Sequence, residues 1–392
     1  MNYNKIDKWL QDELEKLDIS PSNYELAVNR YEAVGRVLET KLSELYNIDA
    51  NIYVQGSFML GTVIKPYGKD KEYDIDLVCE CDLKKEDIDP KKLKNIIKNA
   101  LDESIYKDML DEEGRRTWTI LYSENNNIGF HIDIQPSIPQ NNIIDNTEIL
   151  TTTMDKNDKE NYKWDFGNPK EFKKWFDNIN KESFNLISFN YKRMIYERNI
   201  MSYASIEKVP DQLVRTKLQR MIQILKKHRD IRFEDSKYQD DKPNSMIITI
   251  MASKVYKNIS IELSLYEILK EFANEVNSTI KYLMNTDDDV ELPLISRIAG
   301  EYKIMNPVVN ENLAEKWNIP SNNKKDAFIN WANWLYEDIA KIGNILSQKQ
   351  EERSLDMVLR DIKNKKIDIN SNYNKENNVK TINNPIKPWK YE

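Results

Sequence analysis

The chain has 392 residues, 40% hydrophobic and 31% charged, with a net charge of −7. That is the balance of a globular protein with core enough for two lobes, and its acidity speaks against a general DNA- or RNA-coating role. Two cysteines, Cys79 and Cys81, exclude a disulfide scaffold and lack the second pair a zinc site needs.

Residues 5–47 read as helix, with Ile6, Trp9, Leu10, Leu14 and Leu17 at helical spacing and a break at Ser20-Pro21-Ser22. A short strand follows over 50–55, then a turn at Gly56-Ser57 and a helix start or loop over 58–64. Residues 73–79 alternate as a strand, and 91–109 read as amphipathic helix. Residues 116–123 and 128–134 pattern as a hairpin across the Asn-rich 124–127, ended by Pro136 and Pro139. The polar block 140–165 reads as loop, and a helix starts at Pro169 and runs to 179.

Beyond 182 the pattern is almost wholly helical, over 183–199, 211–232, 244–257, 259–284 and 325–349. Strand signals before 140 and helix signals after 180 give an α+β class. The expected division is 1–180 with the sheet and N-terminal helices, 181–350 helical, and 351–392 a polar tail, its last stretch from about 363 rich in Asn and Lys. The first residues carry no apolar signal-peptide core, and no apolar run approaches the roughly 20 residues that span a bilayer, so the reading is cytoplasmic.

The chemistry concentrates in two short segments. Strand alternation sends Asp74 and Asp76 to one face and Tyr73, Ile75 and Leu77 to the other. Two carboxylates so close repel unless a cation lies between them, and hard divalent cations take oxygen ligands. Asp133, between Ile132 and Ile134, is a third acid on a later strand. Three carboxylates on adjacent strands can hold the metal pair that supports in-line phosphoryl transfer. Gly56 permits close backbone approach, and the Ser57 hydroxyl with turn N–H groups suits phosphate. The Walker spacing is absent.

With Gly56, Ser57, Asp74, Asp76 and Asp133 in place, the chain resembles the polymerase-β-like nucleotidyltransferases. More closely it resembles the bacterial CD-NTases, the cGAS/DncV-like enzymes of CBASS antiphage defence. Asn168-Pro169-Lys170 with Trp175-Phe176, the basic helix from Leu218 to Asp230, Lys242-Pro243-Asn244-Ser245, and Asn306-Pro307-Val308 with Trp317 match further family elements. The resemblance implies a nucleotidyltransferase lobe with a small mixed or antiparallel sheet, a helical C-terminal lobe, and an active site in the cleft between them.

It also implies Mg²⁺ (or Mn²⁺) on Asp74, Asp76 and Asp133, donor phosphates lined by Gln55, Gly56 and Ser57, and triphosphate contacts from Lys226, preferred over Lys227, and Ser245. The implied activity joins NTPs into a cyclic di- or trinucleotide messenger with release of pyrophosphate. The partners are NTPs and an effector encoded nearby that responds to the product, with no membrane, no strong double-stranded DNA binding, and a monomeric enzyme. The alternatives are a linear product, as from oligoadenylate synthases or CCA-adding enzymes, or a degenerate nucleotide-binding scaffold.

Met246 after Ser245 offers no aromatic to stack on a base, and no Cys/His zinc module is present. The end Trp389-Lys390-Tyr391-Glu392 lacks the small residue conjugated in some CD-NTases. Neither histidine is required: His131 reads as a strand-face residue, and His228 as a partner of Asp230 or solvent. Trp164, Trp175, Trp331 and Trp334 read mainly as core, and Asp287-Asp288-Asp289 as a solvated loop.

Overall fold

The structure is a computed structural model that describes residues 3–66, 72–122, 129–140, 147–155, 158–196, 215–347 and 354–364. Helices α1 (Tyr3–Glu15) and α2 (Pro21–Tyr46) are separated where Ser20 caps α2 and Pro21 takes its first turn. Strand β1 (Ala50–Val54) leads through helix α3 (Gly56–Leu60) to β2 (Glu72–Cys81), and α4 (Pro90–Asp102) is capped by Asp89. Then come β3 (Trp118–Tyr122), β4 (Gly129–Pro139), β5 (Ile149–Met154) and β6 (Tyr162–Gly167).

The six strands form one mixed sheet in the order β1-β2-β4-β5-β6, with β3 also on β4. Only β2 and β4 run parallel. The sheet's inner residues, among them Tyr73, Ile75, Leu77, Ile132 and Ile134, pack in one core with α2 and α4. Burial of one face by two helices leaves the other face of β2 and β4 for polar side chains.

The remaining helices are α5 (Pro169–Tyr196), α6 (Lys217–Phe233), α7 (Ser245–Tyr256), α8 (Leu265–Met284), α9 (Lys324–Ser347) and α10 (Leu355–Lys363). Their core takes in α1 as well, through Ile6, Trp9, Leu10 and Leu14, so the chain's first helix packs with its last ones. Trp331 is fully buried there, as expected of core. The short helix α3 lies between the two cores: Phe58 belongs to the sheet core and Leu60 to the helical one.

Several expectations are corrected. The fourth helix stops at Asp102, and only a short 3-10 turn follows at Lys107–Met109. The block 140–165 holds β5 and β6 rather than loop; all six residues of β5 are buried, and its three threonines are β-branched. Strand β4 does not end at Pro136. Its pairing with β3 stops at Ile134 and its pairing with β5 starts at Ser137, so on that side a residue without an N–H sits where no partner needs one. The helix from Pro169 is continuous through Tyr196. Helix α8 begins only at Leu265, where Ser264 and Glu267 form a capping box.

The second half is not purely helical, because β7 (Ser296–Ile298) and β8 (Glu301–Lys303) make a hairpin. Asp289 of the acidic run accepts the turn N–H groups of Ala299 and Gly300. Residues 355–363, expected in the tail, are helical and bury Leu355, Val358, Leu359 and Ile362. The turn 124–127, residues 197–199 and 211–214 of two expected helices, and residues 365–392 lie outside the described residues.

Helix α6 is tied to α9 by buried charge. Asp338 is fully buried and meets His228 Nε2 at 2.9 Å, while Arg232 donates to both its oxygens. His228 therefore partners Asp338, not Asp230 or solvent; Asp230 takes Arg229 and Lys242 instead. Removing one member of such a group strands buried charge. Asp338→Ala should cost about 3–5 kcal/mol in guanidinium denaturation. A loss below about 1 kcal/mol, the scale of an exposed pair, would show that this cluster does not hold α6 to α9.

Candidate active site

The outward face of the sheet carries the three acids because of register as well as alternation. In the parallel ladder Asp76 stands level with Asp133, and Asp74 with His131. On the other side of β4, Thr119 of β3 stands level with Asp133 and its hydroxyl donates to Oδ1 of that carboxylate. Ligand oxygens of Asp74, Asp76 and Asp133 lie within 4.8 Å of one another. Asp74 is exposed and the other two half-buried, so a cation can reach all three from the cleft.

The cluster is electrostatically frustrated as three bare carboxylates. Burial, followed by the charges of Asp74 and Asp133, raises the Asp76 carboxyl to about 8. Burial and Asp133 raise Asp74 to about 6, against the opposing pull of His131 and Lys226. Three oxygen donors converging this closely suit a hard divalent cation, whose charge would remove the repulsion. His131 pairs with Glu72 at the rim of the cluster.

The turn after β1 closes onto this cluster. The Gln55 N–H donates to the Asp76 carbonyl at 2.8 Å. Gly56 has φ +62°, and a Cβ there would overlap Asp76 Oδ2, so glycine is required for both conformation and space. The Ser57 carbonyl accepts the Thr62 N–H at 3.0 Å, which rounds off α3. The Gln55 side chain turns along the sheet and donates to Gln135 Oε1 at 3.1 Å, and Gln135 donates on to Thr151 at 2.8 Å.

The opposite wall is α6. Lys226 is buried, and its Nζ donates to the Thr62 carbonyl at 3.1 Å and to the Thr62 hydroxyl at 3.3 Å. Burial, then Arg229, lowers the Lys226 amine to about 7, with Asp230 and Asp76 pulling the other way. Lys227 points elsewhere, to an ion pair with Asp356 of α10. Ser245 is half-buried and its hydroxyl accepts from Arg229 at 3.0 Å. The cap of α7 is Asn244, whose side chain accepts from the Ile247 N–H.

The structure thus brings together Asp74, Asp76, Asp133 and Gly56, and sets Lys226 on the segment leaving the turn. It joins Ser245 to that wall only through Arg229, and it engages the Gln55 side chain with β4. Thr119 and Gln135 were not singled out from sequence. A hairpin centred on residue 126 pairs Thr119 with Asp133; a centre half a residue earlier, as 124–127 suggests, does not.

Comparison with known proteins bears on the family and the fold. Residues 5–180 match the Second Messenger Oligonucleotide or Dinucleotide Synthetase domain. A protein of Roseivirga ehrenbergii named c-di-GMP synthase is 28% identical over 314 residues, 79% of this chain and 73% of its own length. Over these residues the chain resembles the CD-NTases. The solved Bradyrhizobium diazoefficiens CD-NTase CdnG in complex with GTP has the same fold, with a TM-score of 0.64 at 21% identity over 91% of this chain and 98% of its own. Escherichia coli MS115-1 CdnC with ATP gives 0.60 at 13% identity, covering 94% and 97%.

The acid cluster carries a pH signature. Without a cation the folded state holds the Asp76 proton up to about 8, against an ordinary value of 3.8. The folded form then binds more protons than the unfolded one, so stability falls as pH rises through that window. In chelator, the melting temperature should drop from pH 5 to pH 8 more steeply for the natural chain than for Asp76→Asn. Added Mg²⁺ should raise it more at pH 8 than at pH 5. Equal stabilisation at both values would contradict a carboxylate cation site.

Proposed function

We propose that the chain is a CD-NTase that joins nucleoside triphosphates into a cyclic di- or trinucleotide with release of pyrophosphate, using Mg²⁺ (or Mn²⁺) held by Asp74, Asp76 and Asp133. The convergence of those three carboxylates on one sheet face, against the Gly56 turn, carries the reading. Bound there, the cation supplies charge neutralisation on the triphosphate and acidifies the attacking hydroxyl. Asp133, aligned by Thr119, receives the proton of the acceptor hydroxyl. Gly56 and Ser57 receive the β- and γ-phosphates through backbone N–H groups and the Ser57 hydroxyl.

Lys226 closes the triphosphate from the helical side. Its depressed pKa makes it easily recharged by an arriving anion, which returns the buried ammonium a counter-charge. Ser245, held by Arg229, extends that wall, and Gln55 fixes the turn to β4 while its backbone borders the phosphates. The name of the Roseivirga relative supports a cyclic dinucleotide as the product.

We place the enzyme in the cytoplasm as a monomer, signalling to a nearby-encoded effector of antiphage defence through its product. No described helix is long and apolar enough to cross a membrane. The net charge of −7 supports the absence of strong double-stranded DNA binding.

Incubation with the four NTPs and Mg²⁺ should yield a product without terminal phosphate, resistant to phosphatase and identified by mass. Asp76→Asn should lower turnover at least about 10³-fold, the scale of metal-held charge stabilisation. A phosphatase-sensitive product would establish a linear oligonucleotide instead. Full turnover in the variant would overturn the mechanism.

A further inference from the structure

Four consecutive residues, Leu60 at the end of α3 and Gly61 to Val63 beyond it, are buried. Their N–H side is partly closed within the turn, since Gly61 donates to Phe58 and Thr62 to Ser57. Their carbonyls face α6, and buried carbonyls need partners.

Each one gets a side chain from α6 or its lead-in. Leu60 O accepts from Gln219 at 2.9 Å, Gly61 O from Arg215, Thr62 O from Lys226 at 3.1 Å, and Val63 O from Gln223 at 2.7 Å. Positions 219, 223 and 226 are spaced by four and three, one stripe along α6, and Arg215 joins them from just before its Thr216 cap. The fit is close: a Cβ on Gly61 would come within 2.6 Å of Gln219 Nε2 and 3.2 Å of an Arg215 nitrogen.

A second layer sets the stripe. Asp18, in the connection between α1 and α2, accepts from Arg215 at 2.8 Å, Arg220 at 2.8 Å and Gln223 at 3.0 Å. Two segments far apart in sequence, the α1–α2 connection and α6 with its lead-in, therefore converge on the backbone leaving the Gly56-Ser57 turn. Apart from Lys226, none of these side chains is placed at a substrate position.

We propose that Gln219, Gln223 and Arg215 are positioning residues: they clasp residues 60–63 to α6 and so fix the distance between the Gly56-Ser57 turn and Lys226, with Asp18 setting the clasp. The inference rests on the reading that this turn receives the donor phosphates. A turn free to drift from Lys226 would hold the base and sugar as before but lose its grip on the β- and γ-phosphates. The clasp thus controls preference for a triphosphate over a monophosphate.

Isosteric variants isolate the bonds. Gln219 Oε1 accepts the Thr216 N–H at 2.9 Å, so Q219E keeps the helix cap and loses only the donor to Leu60. Gln223 Oε1 accepts from Arg220 at 3.0 Å, so Q223E keeps that contact and loses the donor shared by Val63 and Asp18, removing clasp and second layer together. Q219M, which is neutral, separates the lost bond from the added charge.

The test is calorimetry on the full chain with Mg²⁺, comparing α,β-methylene analogues of the four NTPs with the corresponding monophosphates. In each variant that retains its melting transition, triphosphate preference should fall about tenfold or more, with monophosphate affinity unchanged. Unchanged preference in the folded variants, or an equal loss for both ligands, overturns the clasp. Ser57→Ala distinguishes the two levels: if it lowers triphosphate preference and the Gln variants do not, only the clasp fails. If Ser57→Ala also leaves the preference intact, the reading of the turn fails.

Discussion

The parallel pairing of β2 with β4 is the constraint on which the rest depends. It sets Asp76 level with Asp133, and alternation along β2 adds Asp74 to the same face. A slip of one residue in either strand would move its acids toward the apolar core. That core, built by α2 and α4 against Tyr73, Ile75, Leu77, Ile132 and Ile134, is what prevents the slip. Hydrophobic burial on one side of the sheet thus holds three like charges together on the other. Their mutual repulsion is what a bound divalent cation would relieve.

The second constraint is α6. Its apolar residues anchor it in the helical core, while its polar side chains reach to the segment between the turn and β2. The His228–Asp338–Arg232 group fixes its far side to α9, and Lys227 fixes it to α10. Lys226 is presented to the turn by a helix held on all sides. With Phe58 in one core and Leu60 in the other, α3 couples the two halves at the site itself.

Much of the site was legible in sequence because strand alternation needs only local information. The acid pair, the third Asp and the Gly-Ser turn all declared themselves within windows of a few residues. Lys226 over Lys227 followed from helical periodicity, and the ion pair of Lys227 with Asp356 is consistent with that choice. What was hidden depends on partners distant in the chain. Strand β5 reads as loop in sequence because its polar threonines mask a strand buried on both faces. Pro136 was read as a terminator because its tolerance depends on β4 changing neighbours from β3 to β5. His228 found Asp338, 110 residues away, rather than Asp230 beside it. Nothing local in the sequence reveals that buried carbonyls lie opposite Gln219 and Gln223.

In the proposed mechanism Asp74, Asp76 and Asp133 together hold the catalytic cations beside the triphosphate. Anomalous diffraction from crystals grown with Mn²⁺ and a non-hydrolysable nucleoside triphosphate tests it most directly. The account predicts strong peaks between the three carboxylates, two of them about 3.5–4 Å apart if both metal positions fill, with the β- and γ-phosphates on the Gly56-Ser57 turn. Nucleotide bound in the cleft with no manganese on those carboxylates would contradict it.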